Sequence, residues 1–520
     1  MKSASKRWTE PVTRPDFAEW SRLLETPGTS KSFDNSIVAL RQSARQRLVD
    51  AAQRYVLRLH DAAQAASVNL PEARLPARDP ITQPLVLTGH QPVLFHGGLA
   101  YKYQRTEDFC AANSAIGVAV IIDTDSGDPG AFVYPSRVQA AESPIHIVEE
   151  TYCSSASDFG HAKFLPAEQL EQLGERVTTH LQTGALTDAA MQFGSTHHMV
   201  RALAQAGVSP CEANTICRWT AGIGGRLLEL PLSDICDFPE AMALTVDLIM
   251  RAAKFAETYN AELDQFRVDH KIRNPANPFP NMPVSDVAGQ ELPFWVYDSS
   301  DGRRRRLSVR TDKSGVQLFA DGDQVCRATC DVLQTHLKTL QRSGIRLVPR
   351  GALVSTWLRL LFADLFVHGL GGEHYDPFTD RLIETWWQMT PSPFVTASAS
   401  QYLFVSERTG LQKLESVESQ LRDLRFNPQR HFGTGAFTDE QERKLQVLID
   451  RKQSAIASMK TAHADGRSAK DIGHEIQLIS DEIRASVDAA FQNDLDRLAA
   501  ISPETKAAWN CRTYPWFFFA

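Results

Sequence analysis

The sequence predicts an α/β protein: a parallel-sheet core with inserted connecting segments, followed by a C-terminal α-helical antiparallel coiled coil. Three observations carry this. Residues 85–128 read LVLTGHQPVLFHGGLAYKYQRTEDFCAANSAIGVAVIIDTDSGD, which is strand, polar loop, helix, strand and acidic cluster, hence one βαβ unit. Residues 291–319 switch to the alternating pattern of strands. Residues 406–500 are charged and carry apolar positions at spacings of three and four, the signature of long paired helices.

The elements follow in order. Residues 36–65 place Ile37, Leu40, Leu48, Ala51, Ala52, Tyr55, Val56 and Leu59 at helical spacing, so residues 1–80 read as a helical N-terminal segment. Pro71, Pro76, Pro80 and Pro84 mark a linker into the first strand. The core spans 81–400, with a helical insertion at about 160–215 and a β-hairpin-containing one at about 266–340. Within it, 85–87 and 118–122 are apolar strands, and Gly97-Gly98 opens the helix between them. Residues 145–148, 227–230 and 345–348 are further strand candidates. Residues 166–205 read as helical, and 239–263 as one long helix. Residues 294–297, the turn DSSDG and residues 303–309 form a hairpin, in which Arg303–Arg306 alternate faces as a solvated strand. Residues 352–367 form the most apolar helix, and Arg359 and Asp364 within it mark a buried core helix, not a membrane span. Asp376-Pro377 opens the next helix in an N-cap and N1 combination.

In 405–500, Leu411, Leu414, Val417, Leu421 and Leu424 form one stripe, and Thr438 with Gln441 a capping box. Leu445, Leu448, Lys452, Ile456 and Met459 face Ile472, Ile476, Ile479, Ile483, Val487, Ala490 and Leu498 in a hairpin turning at 463–468. The tail, residues 501–520, ends YPWFFFA and is apolar enough to dock on the core.

Bulk properties bound the function. At 520 residues, two to four domains or large insertions are expected. A net charge of −7 gives no reason to expect nucleic acid. The start, MKSASKRWTEPV, has no apolar stretch of the secretory kind, and no run approaches a membrane span, so a cytoplasmic protein without membrane partners is expected. None of the eight cysteines makes a C-x-x-C pair or zinc-site spacing. They read as reduced, mostly buried thiols.

Three constellations carry chemistry. The loop GHQPVLFHGG brings His90, Gln91 and His96 beside Gly89, Gly97 and Gly98 at a helix start, a setting that suits an anion; Lys102 lies one turn in. It is neither G-x-G-x-x-G nor a Walker A loop. Asp123, Asp125 and Asp128 follow the second strand, where carboxylates can hold an amine or act as general base. The loop HGLGGEHYD supplies His368, Gly371, Gly372 and Glu373 as a substrate-binding turn. No H-E-x-x-H pattern exists, so no metal is expected, and the absence of G-x-S-x-G leaves serine hydrolysis unsupported.

TGHQPVLFHGGLAYK resembles the TGQQ-x-x-LFTGPLYTIYK segment of the bacillithiol-synthesis cysteine-adding enzymes, the BshC-like family. DTDSGD stands where that family has an EDHDF-like cluster, HGLGGEHYD where it has a GGPGE-like turn, and 406–500 where it has a coiled coil. The order of elements matches over roughly residues 81–500. The resemblance implies a Rossmann-like core with inserted segments, a homodimer, and an activity joining cysteine to a malate-linked amino sugar. The family's Gln is His90 here, its Thr before Gly is His96, and its acidic-cluster His is not reproduced; Asp128 matches the final Asp. These changes imply a divergent relative with a changed substrate. A shorter stretch, His90-Gln91-Pro92 with Gly98 and Lys102, is similar to the HQPNYLPWLGYFYK opening of the WbqC-like proteins.

The resulting expectation is a small-molecule ligase or transferase forming a carbon–nitrogen bond between an amine or amino acid, cysteine among the candidates, and a small acidic or sugar-linked acceptor. His90 and Gln91 would orient the acceptor, and His96 and Lys102 would neutralise its anionic group. Asp125 or Asp128 would hold or deprotonate the amine, with Asp123 beside them, and the 368–376 loop would close the site. A nucleotide, ATP or ADP, is the candidate cofactor. The alternatives are a non-catalytic nucleotide- or metabolite-binding protein assembled through its coiled coil, and a nucleotidyl or glycosyl transferase.

Overall fold

The computed structural model describes residues 8–25, 35–73, 81–137, 143–155, 158–300, 302–313 and 315–519. Residues 1–7 and half of the predicted linker, 74–80 with Pro76 and Pro80, lie outside them. The chain forms two compact units, one comprising Met1–Ser136, Val148–Gln401 and Arg512–Ala520, the other Arg137–Ile147 and Tyr402–Cys511.

The first unit opens with a strand, β1 (Thr9–Arg14), in a segment expected to be helical throughout. The predicted helix follows as α1 (Asn35–Ala65). The βαβ unit is β2 (Leu85–His90), α2 (Gly97–Ala112) and β3 (Ile116–Ile121). Two helices, α3 (Ala167–Thr183) and α4 (Thr187–Gln205), lead to β4 (Leu228–Pro231). The long helix expected at 239–263 is two, α5 (Pro239–Met250) and α6 (Ala252–Asp269), because Arg251 between them leaves helical geometry at φ −114°, ψ 26°.

A separate six-stranded antiparallel sheet follows: β5 (Gly289–Asp298), β6 (Arg304–Asp312), β7 (Gly315–Ala320), β8 (Asp323–Ala328) and β9 (Ile345–Pro349), ordered β8-β7-β6-β5-β9, with the two-residue strand Val284–Ser285 paired to the start of β5. The predicted hairpin is β5–β6, and the strand at 345–348 belongs here, paired to β5.

The apolar run 352–367 is not one helix. Helix α7 (Ala352–Leu361) ends where Phe362 turns to φ −129°, ψ −57°, and the chain re-enters the core as strand β10 (Leu365–His368). A short helix α8 (Leu370–Glu373), then α9 (Asp376–Leu382), lead to β11 (Phe394–Ser400). Asp376 does not cap α9. Tyr375 takes the cap position, and the Asp376 carboxylate is buried.

The main sheet runs β1-β11-β10-β2-β3-β4. Strands β11, β10, β2, β3 and β4 are parallel, and β1 closes one edge antiparallel to β11. In order of appearance the parallel strands lie 5-4-1-2-3, so the winding reverses between β2 and β10. Every residue of β3 and of β10 is buried, which is why both read as continuous apolar runs and not as alternating strands. One face packs Val86, Leu365, Val367, Val395, Ala397 and Ala399 against Tyr101, Phe109 and Cys110 of α2 and against Trp20. Helix α1 packs against β4, α5 and α7.

The end of the chain belongs to this unit. Tyr514, Trp516, Phe517 and Phe518 are buried. The Phe517 ring meets Phe132 and Phe193, and Trp516 N donates to Phe95 O at 2.6 Å. The tail thus packs beside the loop that precedes α2.

The second unit is helical: α10 (Val405–Phe426), α11 (Asp439–Ala464) and α12 (Lys470–Ala500). The Thr438–Gln441 capping box is formed. Its core joins Leu424, Phe437, Leu445, Leu448, Ile449 and Ala455 to Ile479, Ile483, Val487 and Phe491, while Leu411 and Leu414 meet Leu498. The α11 stripe is rotated from the expected one: Ile449 and Ala455 are buried, whereas Lys452, Ile456 and Met459 are partly exposed.

No helix among the described residues is long and apolar enough to cross a membrane. No disulfide joins any of the eight cysteines.

Candidate functional site

A cleft of about 630 Å³ opens at the carboxyl ends of β2 and β10, where the strand order reverses and where open parallel sheets bind their ligands. Its floor is the two strand-to-helix loops. One carries Gly89, His90, Gln91, His96, Gly98 and Lys102; the other carries His368, Gly369, Gly371 and Gly372. Thr88 and Val367, at the two strand ends, stand 279 residues apart in the sequence, and the pairing of β10 with β2 brings the two loops side by side. A second hollow lies at the opposite edge of the sheet, lined by Arg41, Arg45 and Asp364. There the Arg41 guanidinium is spent on the carbonyls of Arg359, Leu360 and Ala363 and on Asp364, and Asp364 also receives Leu85 N. Those contacts close the strand ends.

Lys102 is the central group of the cleft. It is 2% exposed, and Nζ donates to Gly89 O at 2.8 Å. No carboxylate pairs with it among the described residues. Burial alone pulls its ammonium down to about 7 from 10.5, because a charge without a partner is costly in a low-dielectric site.

The two histidines beside it are fixed in opposite tautomers. His96 is the N-cap of α2, and its Nδ1 accepts from Gly98 N at 3.0 Å. A backbone N–H only donates, so the His96 proton is on Nε2. His90 Nδ1 lies 3.1 Å from Gln91 O. A carbonyl only accepts, so His90 is protonated at Nδ1 and keeps a lone pair on Nε2. Burial, with Lys102 nearby, drives His90 down to about 3; burial, Arg512 and Lys102 drive His96 down to about 4. Both rings are neutral near pH 7. The expectation that His96 neutralises an anion by its charge is therefore corrected: it offers an N–H.

Gly98 lines the cleft, but it is glycine for packing. A Cβ there would lie 2.9 Å from both His96 Cε1 and Ser398 Oγ. Gly97 is buried against Gln401 and does not line the cleft.

The acidic cluster divides. Asp125 reaches the cleft with both oxygens engaged: Oδ2 accepts from Gln91 Nε2 at 3.0 Å, and Oδ1 pairs with Arg304 at 2.5 Å. Arg304, in the tetra-arginine stretch read as solvated, stacks over Trp295 and ties Asp125 to the second sheet. Asp123 points away and accepts from Ser233 N and Oγ; burial lifts it to about 6. Asp128 accepts from Gly130 N at 2.8 Å and does not line the cleft. The roles expected for Asp123 and Asp128 at the ligand are thus not supported by their positions. Glu373 is also turned away, bound by Arg14 of β1 at 2.8 and 3.0 Å.

His368, at the end of β10, lines the cleft. Its Nε2 is 2.8 Å from Asp376 Oδ2, which also takes Arg359 Nη1 at 2.7 Å. Burial pushes the Asp376 carboxyl up, but His368 and Arg359 outweigh it and hold it at about 2.

Sequence reading missed Asp376 and Arg359 as site-supporting groups, together with Ser355, Tyr375, Ser398, Phe279 and Arg512, all of which line the cleft except the first two. The signal for Arg359 was a charge inside the most apolar run of the chain. Arg512 immediately precedes the apolar tail. Among the described residues no cluster of His, Cys, Asp and Glu is arranged to hold a metal ion.

No family model matches the chain, and no curated protein matches it.

Proposed function

We propose that this protein is an enzyme that binds a small anionic acceptor in the β2–β10 cleft and joins an amine to it, as a divergent relative of the BshC-like cysteine-adding enzymes. In this reading the main sheet is a Rossmann-like core, the C-terminal helices are its coiled coil, the protein acts as a homodimer, and a nucleotide activates the acceptor carboxyl. The observation that carries the reading is Lys102: a buried ammonium with no carboxylate partner among the described residues, lining a cleft that His96 and Gly98 at the start of α2 also line. An anionic group restores the missing partner, and the His96 Nε2–H is left to donate to it, because the Gly98, Leu99 and Ala100 N–H groups are already taken by His96. His90 Nε2 supplies an acceptor for a hydroxyl of the same ligand. Gln91 takes part through Asp125, which it positions.

The test has two readouts. Small mono- and dicarboxylates should raise the melting temperature of the wild-type protein, and Lys102→Met should lose that response. Incubation with cysteine or other amino acids, ATP and a carboxylate acceptor should then yield an amide by mass spectrometry with nucleotide consumption. If carboxylates leave both proteins unchanged, the anion site is wrong. Amide formation without nucleotide consumption removes the nucleotide.

A further inference from the structure

We infer that His368 is the proton acceptor of this cleft, acting at Nδ1, and that Asp376 and Arg359 are its positioning residues. The inference rests on the reading of the cleft as a site for bond formation by an N–H or O–H nucleophile.

The other candidates for this task are committed. The oxygens of Asp125 are engaged by Gln91 and Arg304. Asp123 is held by Ser233, and Asp128 lies outside the cleft. The Nδ1 of His96 is occupied by Gly98 N. His90 offers Nε2, but its neighbours are Lys102 and His96, and among the described residues no carboxylate pairs with it to stabilise an imidazolium.

His368 has that carboxylate. Asp376 is 0% exposed and its Oδ2 is 2.8 Å from Nε2. An ionised carboxylate only accepts, so the ring proton is on Nε2 and the lone pair on Nδ1. Arg359 is also buried; it donates to the same Oδ2 and to Ser392 O, which fixes the carboxylate from behind. The ring packs against Phe366 and Phe394. This chain of base, orienting carboxylate and anchor is what general-base sites require.

Gly372 supplies an independent observation. A Cβ at that position would lie 2.3 Å from His368 Nδ1. Any side chain there would press on the atom that must receive the proton, whereas Gly369 and Gly371 have nothing within 4 Å of a Cβ. In the step itself one proton passes from the nucleophile to Nδ1, the electron pair stays on the nucleophile, and the imidazolium faces Asp376.

Alkylation by bromoacetate tests this on the full chain without knowledge of the substrate. Nδ1 bonds to the methylene carbon as the C–Br bond breaks, and bromide leaves with the electron pair. Peptide mapping should place the adduct on His368 Nδ1, and ¹⁵N spectra of histidine-labelled protein should show the Nε2–H tautomer. Asp376→Asn should slow alkylation about tenfold or more and scatter the adduct over both ring nitrogens. Gly372→Ala, which leaves Asp376 in place, should suppress it. Neutral bromoacetamide separates the two readings. If it modifies His368 as fast as bromoacetate, the proton acceptor stands and the anion site falls. If His368 is unmodified while His90 or Lys102 reacts, or if its tautomer is Nδ1–H, the inference is overturned.

Discussion

Lys102 Nζ donates to the carbonyl oxygen of Gly89 at 2.8 Å, and that carbonyl is its only hydrogen-bond partner among the described residues. The relationship joins the second turn of α2 to the end of β2, so the two elements that the sequence marked as one unit also meet at one buried charge. A neutral carbonyl satisfies one donor of an ammonium. It does not offset the loss of hydration of the charge.

Replacing Lys102 with Met should therefore stabilise the protein while abolishing its response to carboxylates. The unfolded lysine keeps its proton up to 10.5, the folded one only to about 7. Between these values the unfolded chain binds more protons, so stability rises with pH across the window, and the penalty is complete below 7. At about 1.4 kcal/mol per pKa unit the difference amounts to a few kcal/mol. Thermal unfolding of Lys102→Met should show its gain at pH 7 and lose it towards pH 10.5. A variant less stable than wild type at pH 7 would contradict the account.

The cleft histidines contribute to the acid limb, together with His197, which burial also lowers to about 4. His90 and His96 are held at about 3 and about 4, below their ordinary 6.5. Below pH 6.5 the unfolded chain takes up protons that the folded chain refuses, so stability falls on acidification, by up to about 1.4 kcal/mol per pH unit for each ring. The His90→Gln, His96→Asn pair removes both groups, and Asn preserves an N-cap. Denaturant titrations between pH 7 and 4.5 should show a flatter profile in that variant. An unchanged slope would place the acid sensitivity elsewhere.

Some of this was legible in the sequence and some was not, for physical reasons. The first βαβ unit was readable because Thr88-Gly89 ends the apolar run and two glycines open the helix. The second strand of the cleft, β10, was hidden because 352–367 is one apolar run, with no proline or glycine between Leu361 and Leu365. The charge of Asp364 marked the junction: its carboxylate receives Leu85 N and Arg41 at the edge of the sheet. His368 was singled out as part of a glycine-rich loop after a helix, whereas it ends strand β10. Asp376 read as a cap because Asp-Pro favours one, and burial beside Arg359 gave it another use. The acidic cluster could be placed at a strand end, but sequence does not say which carboxylate turns inward. Here Arg304, 179 residues away from Asp125, decides it.

Asp125 should behave as a brace and not as a base. Asp125→Asn keeps an acceptor for Gln91 and loses only the charge against Arg304. Side-chain exposures of 39% and 19% for that pair make it worth about 1 kcal/mol or less. Carboxylate binding should survive in Asp125→Asn with at most a few-fold loss, and Arg304→Gln should give the same loss with no added effect in the double variant. Complete loss in Asp125→Asn with full function in Arg304→Gln would restore Asp125 as a direct participant.

The buried pair behind His368 predicts a different pattern. Arg359 and Asp376 are 2% and 0% exposed, so removing either leaves its partner as a buried charge with one counter-group fewer, Asp380 remaining for Arg359 and His368 for Asp376. Asp376→Leu and Arg359→Met should each cost about 3–5 kcal/mol, whereas the double variant, which removes both charges, should cost much less than their sum. Arg359 also binds Ser392 O and Asp380, so the double variant should not return fully to wild-type stability. Urea unfolding of the four proteins gives the coupling directly. Additive losses would mean that the two side chains act independently, and the anchor behind His368 would then have to be sought in the aromatic contacts of Phe366 and Phe394.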